Sequence, residues 1–463
     1  MVVASQQELV ERIWARDATV WTGADEDRWL GWLDEPKRIQ ERLGDIQRFA
    51  EQARAEFATF VLLGMGGSSL APEVLKRTFE AESFHVLDTT HPAMIRHAEE
   101  SLDLDETMFI VSSKSGGTLE TLSHFEYFWE KSGRDGQRFV AITDPGSGLE
   151  QLANTREMRV FAGEPTIGGR FSALSPFGIV PAALMGIDLE RLLVNAERMA
   201  EACRADASPG LQLGLRLGHG WRDGRDKVAI NPNPGAFGLW AEQLVAESTG
   251  KQGKGLVPAP DESPDGPDRQ AASVEIADPF AIGGEFFRWE FAVAVAGTVL
   301  AINPFDQPDV QAAKDKTKQV LASGDDPQLA PDGSLDELLA GAEPPNYIAI
   351  QAFVDPARER ELEPLIERAR RTGCVVTHGL GPRYLHSTGQ LHKGGPPTGL
   401  FIQVVDDTGG EIPIPGQDFG FGRLIRAQAE GDFRSLRERG RQIVRVRLEN
   451  MGHSTAVPNE RST

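Results

Sequence analysis

The sequence predicts an α/β protein with two doubly wound parallel-sheet domains and an N-terminal helical arm. Short, uninterrupted apolar runs alternate with longer helix-like stretches, a pattern typical of strands buried on both faces of a parallel sheet. The alternation occurs twice along the chain, which predicts two such domains. The first series of runs lies at 60–63, 86–87, 108–111, 140–142 and 160–161, and the second at 228–230, 348–350, 374–376 and 400–405.

The arm comes first, because residues 6–56 carry apolar side chains at helical spacing among many charges. Within the second series, the stretches 239–247 and 286–301 have the character of helices. Two segments rich in Pro, Gly and Asp, at 258–268 and 324–346, predict surface loops. The expected division is an arm at 1–45, a first domain at 46–200, a second at 201–450 and a flexible tail at 451–463.

Composition excludes several classes of function. The chain has 463 residues and a formal net charge of -21, which opposes attraction to nucleic acid or to an anionic membrane. Its two cysteines, Cys203 and Cys374, form no Cys-x-x-Cys pair, which fits a reducing compartment. No stretch approaches the ~18 uninterrupted apolar residues that span a bilayer. We therefore expect a cytoplasmic protein without nucleic-acid or membrane partners.

A glycine- and serine-rich turn, GMGGSS at 64–69, follows the first predicted strand and leads into a helix. Gly66 and Gly67 allow a ligand to approach the backbone, and Ser68 adds a hydroxyl beside the helix N-terminus. A dinucleotide fingerprint is disfavoured because Ser69 stands where the third glycine would be. A phosphate cradle is the preferred interpretation, and a plain tight turn is the alternative.

The third predicted strand ends in SSKSGGT at 112–118, where hydroxyls and a lysine are concentrated. Ser113, Lys114, Ser115 and Thr118 suit a compact dianion, although the same residues could serve as a helix N-cap. Because two such turns at the carboxyl ends of strands open into one crevice, a phosphorylated small molecule is the better hypothesis. The pattern of a nucleoside triphosphatase loop is missing.

An arginine and a glutamate supply the charges that acid–base chemistry needs. Arg170 follows Gly169, and a guanidinium there could stabilise oxyanion charge without losing its proton. The alternative is that Arg170 is a surface residue. Glu247 ends an apolar helix that also carries Gln243, and the helix dipole there would raise the pKa of its carboxyl. A raised pKa suits a general base, and a solvated helix-end glutamate is the alternative.

Two further polar segments lie in the second half. The turn NPFDQP at 303–308 contains Gln307 and leads into a helix with Lys314. A glycine-rich loop carries His386 and His392, which do not fall on one helix face and have no acidic ligand nearby in the sequence. Proton transfer by one of them is therefore expected, and no metal site.

Together these segments resemble the glucose-6-phosphate isomerases, which belong to the sugar-isomerase (SIS) domain family. The similarity is greatest to the isomerase half of transaldolase–isomerase fusions, although 463 residues leave no room for a transaldolase barrel. The segments that carry the resemblance are GMGGSSLAP, SSKSGGTLET, GGRFSALSPFG, QLVAESTGKQGKG, NPFDQPDVQAAK and LHSTGQ.

The resemblance implies an intramolecular oxidoreductase of glycolysis and gluconeogenesis that interconverts glucose 6-phosphate and fructose 6-phosphate through a cis-enediol, as a homodimer without cofactor or metal. It implies that Glu247 is the base, that Arg170 stabilises the enediolate, and that His386 and Lys314 assist ring opening. The substrate-binding residues that it implies are Gly66, Gly67, Ser68, Ser113, Lys114, Ser115, Thr118, Gly169, Gln243 and Gln307.

One feature departs from the family pattern. The family's histidine segment usually precedes its lysine segment and is contributed by the neighbouring subunit, whereas here the order is Glu247, Lys314, His386. The alternatives to the expected activity are an isomerase that also accepts mannose 6-phosphate and a regulator that binds sugar phosphates without turnover.

Overall fold

The computed structural model of the chain describes residues 5–324 and 326–450, so the predicted tail at 451–463 lies outside the described residues. A five-stranded parallel sheet forms the first half, in the order β2-β1-β3-β4-β5. The strand order reverses between β1 and β3, which opens a crevice at their carboxyl ends. The strands are β1 (Thr59–Gly64), β2 (Phe84–Leu87), β3 (Thr107–Ser112), β4 (Phe139–Thr143) and β5 (Arg159–Ala162).

The second half contains two separately hydrogen-bonded parallel sheets, where the sequence indicated one series. Their orders are β7-β6-β8 and β10-β9-β11-β12, and every strand pairing in the described residues is parallel. The prediction of a parallel α/β fold is confirmed. The strands are β6 (Lys227–Ile230), β7 (Val257–Pro260), β8 (Arg269–Ala272), β9 (Tyr347–Phe353), β10 (Val375–Leu380), β11 (Gly399–Val405) and β12 (Gln442–Arg447).

Both loop predictions need correction. Residues 258–260 belong to β7, which lies at a sheet edge where proline is tolerated because one side needs no backbone donor. The segment 324–346 contains a short helix, Leu335–Ala340, capped by the Ser334 hydroxyl.

Seventeen α-helices accompany the strands in the described residues. The arm is helical as predicted, and the apolar face of its first helix buries Leu9, Val10 and Ile13. The helices are α1 (Gln6–Trp14), α2 (Glu35–Arg38), α3 (Gln40–Glu56), α4 (Leu70–Phe79), α5 (Pro92–Ser101), α6 (Leu119–Lys131), α7 (Gly148–Thr155), α8 (Pro176–Leu184), α9 (Leu189–Ala202), α10 (Pro209–Arg222), α11 (Gly238–Thr249), α12 (Ile282–Leu300), α13 (Val310–Ala322), α14 (Leu335–Ala340), α15 (Glu363–Arg370), α16 (Gly389–Gly394) and α17 (Phe421–Glu438).

Helix α12 is buried almost all round and packs against α9, α10 and α11. One apolar cluster therefore runs from the arm through the first sheet to α12, across the boundary that we predict at 200. Glu285, Arg288 and Glu290 interrupt the apolar surface of α12. Within 5–324 and 326–450, no helix is both long and apolar enough to cross a membrane.

Candidate active site

A cavity of about 600 Å³ lies where the loops after β1 and β3 meet residues of the second half. It brings together nearly all of the residues that the sequence analysis selects. Those that line it are Gly66, Gly67, Ser68, Lys114, Ser115, Thr118, Gly169, Arg170, Gln243, Glu247, Gln307, Lys314 and His386.

The loop after β1 needs its glycines because three backbone segments meet there. Gly66 has a φ of +55°, and a Cβ on it would lie 2.6 Å from the carbonyl oxygen of His386. A Cβ on Gly67 would lie 2.1 Å from the carbonyl oxygen of Gly169. A side chain at either glycine would therefore push the loop away from its neighbours.

The loop after β3 brings hydroxyls and the N-terminus of α6 to the cavity. Ser115 and Thr118 line it, whereas Ser113 is buried behind them, with its Oγ 3.0 Å from the Thr118 Oγ1. Thr118 is the N-cap of α6 but its side chain caps no N–H group, so the N-terminus of this helix can donate to a ligand beside Thr118.

Lys114 is held by the protein itself. Its Nζ donates to both carboxylate oxygens of Asp144, at 2.7 and 2.6 Å, and to the Glu164 carbonyl at 2.8 Å. Burial lowers the pKa of Lys114, and the carboxylate of Asp144 opposes that shift. A phosphate group would therefore share this cation with Asp144.

Arg170 is 1% exposed and every part of its guanidinium has a partner. Its Nε donates to Ser248 at 2.7 Å, and its Nη2 donates to the Pro304 carbonyl at 2.7 Å. Its Nη1 donates to the Gln307 side chain at 2.9 Å and lies 3.2 Å from the Glu247 Oε1. Burial lowers the pKa of Arg170, but a guanidinium still keeps its proton at any working pH.

Glu247 stands near the end of α11 with both carboxylate oxygens positioned. One faces Arg170, and the other accepts a 2.9 Å hydrogen bond from the Gln243 side chain. Gln243 also donates to the His386 carbonyl at 2.9 Å. This glutamine thus fixes the carboxylate relative to the histidine loop.

Lys251 is a supporting residue whose role no local pattern of the sequence indicates. It is buried, and its Nζ donates to the Asn303 carbonyl at 2.8 Å and to the Asp306 carboxylate at 2.5 Å. Burial, with repulsion from Arg170, lowers its pKa to about 8. Lys251 therefore holds the 303–307 turn, whose carbonyls hold Arg170.

His386 shares its Nε2 proton with Glu120, whose Oε1 lies 2.9 Å away. Burial disfavours the charge on Glu120, but His386, the Glu120 backbone N–H and the charge of Lys314 together outweigh burial, and the pKa of Glu120 falls to about 2. Gln428 donates to the same oxygen at 2.7 Å. Because a carboxylate only accepts, Nε2 is the donor, and Nδ1 has no hydrogen-bond partner in the described part of the chain.

The turn that carries His386 is anchored within the same chain. Arg383 donates to both oxygens of the buried Asp88, at 2.7 and 2.8 Å, and Tyr384 donates to the buried Asp432 at 2.7 Å. These bonds tie the loop after β10 to the loop after β2 and to α17.

The second histidine, His392, does not line the cavity. It is buried against Tyr384 and Phe401, and its Nδ1 lies 3.1 Å from the Gln351 Nε2. Burial lowers the pKa of His392 well below its ordinary value, which suits a neutral core residue.

Lys314 lies on α13 at the edge of the cavity, where its side chain is exposed. Its side chain forms no ion pair or hydrogen bond with residues in the described ranges, and its charge helps to lower the pKa of Glu120. It is therefore a free cation beside the His386–Glu120 pair.

The arm contributes two lining residues, Asp25 and Trp29, that no local sequence pattern marks. They reach the cavity only because the arm packs against the first sheet and α12. Among the residues that the structure describes, no group of three or more His, Cys, Asp or Glu side chains could hold a metal ion.

Part of the chain is similar in sequence to known proteins. Residues 34–209 match the family model described as phosphoglucose isomerase. Glucose-6-phosphate isomerase of Thermus thermophilus is 38% identical over 196 residues, which are 41% of this chain and 47% of that protein. The corresponding protein of Carboxydothermus hydrogenoformans is 33% identical over 248 residues, 48% of this chain and 53% of that protein. The chain thus spans about half the length of the curated relatives that it matches.

The fold has a solved counterpart. A crystal structure of a glucose-6-phosphate isomerase from Chlamydia trachomatis superposes with a TM-score of 0.58 at 18% identity. The superposition covers 69% of this chain and 85% of the chain from Chlamydia trachomatis. The arrangement of parallel sheets and helices is therefore that of a known sugar-phosphate isomerase fold.

Proposed function

We propose that the chain catalyses the reversible isomerisation of D-glucose 6-phosphate and D-fructose 6-phosphate, the activity for which its relatives are named. The observation that carries the proposal is the Glu247 carboxylate, which faces Arg170 in a cavity lined by two hydroxyl-rich loops. Such a cavity offers an anion site, a base and a fixed cation within the reach of one small molecule.

The phosphate group binds at the loops after β1 and β3. Ser68, Ser115 and Thr118 supply hydroxyl donors, and the N-terminus of α6 supplies backbone N–H groups and a favourable dipole. Because these donors sit on loops fixed by buried glycines, they hold the sugar chain in one position relative to Glu247.

Glu247 moves the proton between C2 and C1. In the direction from aldose to ketose, its carboxylate takes the C2 proton, the C2 electron pair forms the C1–C2 double bond, and the carbonyl oxygen becomes the enediolate oxygen. Arg170 stabilises that oxygen. The proton of the C2 hydroxyl then passes to the oxygen on C1, the carbonyl forms at C2, and the electron pair of the double bond takes the proton back from Glu247 at C1. No electron leaves the substrate, so the reaction needs no redox partner.

His386 exchanges a proton with the sugar ring oxygen when the ring opens. Its Nε2–H bond to Glu120 leaves Nδ1 as the ring nitrogen that can face the substrate, and Lys314 supplies a cation at the same side. We also propose that the reaction takes place in the cytoplasm. We propose further that the chain is related to the isomerase half of transaldolase–isomerase fusions.

We further propose that His386 acts on substrate held by its own chain, even in the homodimer that the resemblance implies. The contacts to Glu120, Gln243 and Asp88 support this, because they fix the histidine loop within one chain. Mixed oligomers of Glu247→Gln and His386→Asn chains, isolated through two different tags, should therefore show no more turnover than either variant alone. Turnover at one of the two sites of a mixed dimer would mean that the partner supplies the histidine.

The activity is tested with the purified chain in excess chelator. We expect glucose 6-phosphate to form from fructose 6-phosphate, with mannose 6-phosphate formation followed in parallel. Formation of both epimers would assign a dual isomerase. Binding of fructose 6-phosphate without turnover would contradict the catalytic proposal and leave a sugar-phosphate-binding protein.

A further inference from the structure

The arm reaches the cavity through a turn that is fixed by a buried carboxylate. Glu26 is fully buried, and its oxygens accept from the backbone N–H groups of Thr22 at 2.9 Å and Ala24 at 2.8 Å. This turn therefore holds Asp25 and Trp29, its residues at the cavity, in a defined position.

The turn also packs on both loops that surround Arg170. The backbone N–H of Gly31 donates to the Thr166 carbonyl at 3.1 Å, and a Cβ on Gly31 would lie only 2.1 Å from the Thr166 Oγ1. On the other side, the Asn303 amide donates to Asp25 Oδ1 at 3.0 Å. The arm is thus part of the cavity wall.

Asp25 differs from the other carboxylates that line the cavity. Among the described residues, four carboxylates line the cavity, and all except Asp25 belong to ion pairs. The pairs are Asp144 with Lys114, Glu247 with Arg170 and Asp306 with Lys251. Asp25 has no cationic partner within 5–324 and 326–450. Within those ranges its carboxylate accepts side-chain hydrogen bonds only from the Asn303 amide and, at 3.3 Å, from the Trp29 indole. Its charge repels a phosphate group and attracts hydroxyl donors.

We propose that Asp25 and Trp29 form the subsite for the hydroxyl-bearing part of the sugar, as distinct from its phosphate. The carboxylate accepts hydrogen bonds from sugar hydroxyls, and the indole packs on the C–H groups beside them. The pair orients the substrate, because the dianion is favoured at α6 and disfavoured at the arm. The inference rests on the proposed function, and both residues lie outside the 34–209 segment that matches the family model.

Asp25→Asn is the test, because it removes the charge and keeps the shape. We expect the KM for fructose 6-phosphate and the inhibition constant of the unreactive hexitol sorbitol 6-phosphate to rise at least about tenfold, the weight of one charge-assisted hydrogen bond. The inhibition constant of inorganic phosphate should stay the same or fall. Trp29→Leu should raise the inhibition constant of sorbitol 6-phosphate in the same way.

Asp27→Asn is the matched control, since Asp27 is exposed on the same turn and does not line the cavity. Its constants should equal those of the wild type. Equal loss of affinity for sorbitol 6-phosphate and inorganic phosphate in Asp25→Asn would assign Asp25 a structural role and overturn the inference, as would affinities within twofold of the wild type. If the wild type binds sorbitol 6-phosphate but turns over no substrate, the proposed function fails, and the same comparison of affinities still decides the subsite.

Discussion

Replacing Glu247 by glutamine should lower kcat by about 10²–10⁴-fold, because the amide cannot accept the proton from C2. The change keeps the side-chain length and an acceptor for Arg170, so the substrate should still bind. The measurement is steady-state turnover of fructose 6-phosphate, together with uptake of deuterium from solvent into the sugar. Both should fall together, while the inhibition constant of inorganic phosphate stays near the wild-type value.

Glu242→Gln provides the control on the same helix. Glu242 lines a different cavity, and burial raises its pKa to about 8, opposed by the charge of Arg383. It is therefore mostly protonated at neutral pH, and glutamine resembles that form, so kcat should change little. Near-normal turnover in Glu247→Gln would remove Glu247 as the base.

The second large effect is expected for His386→Asn. If His386 transfers a proton to the ring oxygen, turnover of the cyclic hexose phosphates should fall by about 10²–10⁴-fold. An acyclic substrate needs no ring opening, so proton exchange on erythrose 4-phosphate, whose ring cannot close through the phosphorylated oxygen, should fall far less. The measurement is the ratio of the two rates in each variant.

His378→Asn makes the same chemical change on an exposed histidine outside this cavity, and should leave both rates unchanged. An equal loss on cyclic and acyclic substrates in His386→Asn would contradict the ring-opening role. It would instead show that the histidine only maintains the shape of the site through Glu120.

The sheets were predictable where burial leaves a local pattern. The strands around 60–63, 108–111 and 400–405 are buried on both faces and, apart from Gln403, apolar, and all three form. Strands β7, β8 and β12 were not predicted, because edge strands need no continuous apolar run and these three sequences lack one. β7 carries two prolines at a sheet edge, β8 has one charged and one amide side chain in four residues, and β12 alternates apolar residues with arginine at another edge.

The cavity was predictable to the extent that its residues lie in motifs. The glycine turns, Arg170 and Glu247 belong to such segments, and the structure brings them together. The partners that position them were not predictable from local sequence. Glu120 meets His386, and Asp25 meets Asn303, only through the packing of distant elements, and the pairing of Lys114 with Asp144 depends on the adjacency of β3 and β4.

The hydrogen bonds around Arg170 and His386 have a consequence for folding, because they connect distant parts of the chain. They join residues that are 78, 137 and 266 positions apart, so each of them closes a long loop of the chain. Contacts between residues so far apart in sequence form late in folding. Closing a long loop costs entropy, and contacts that have formed earlier must shorten the loop or offset that cost. We therefore expect a refolding chain to regain parallel-sheet secondary structure before it regains turnover, and mild denaturant to abolish turnover before the sheets unfold.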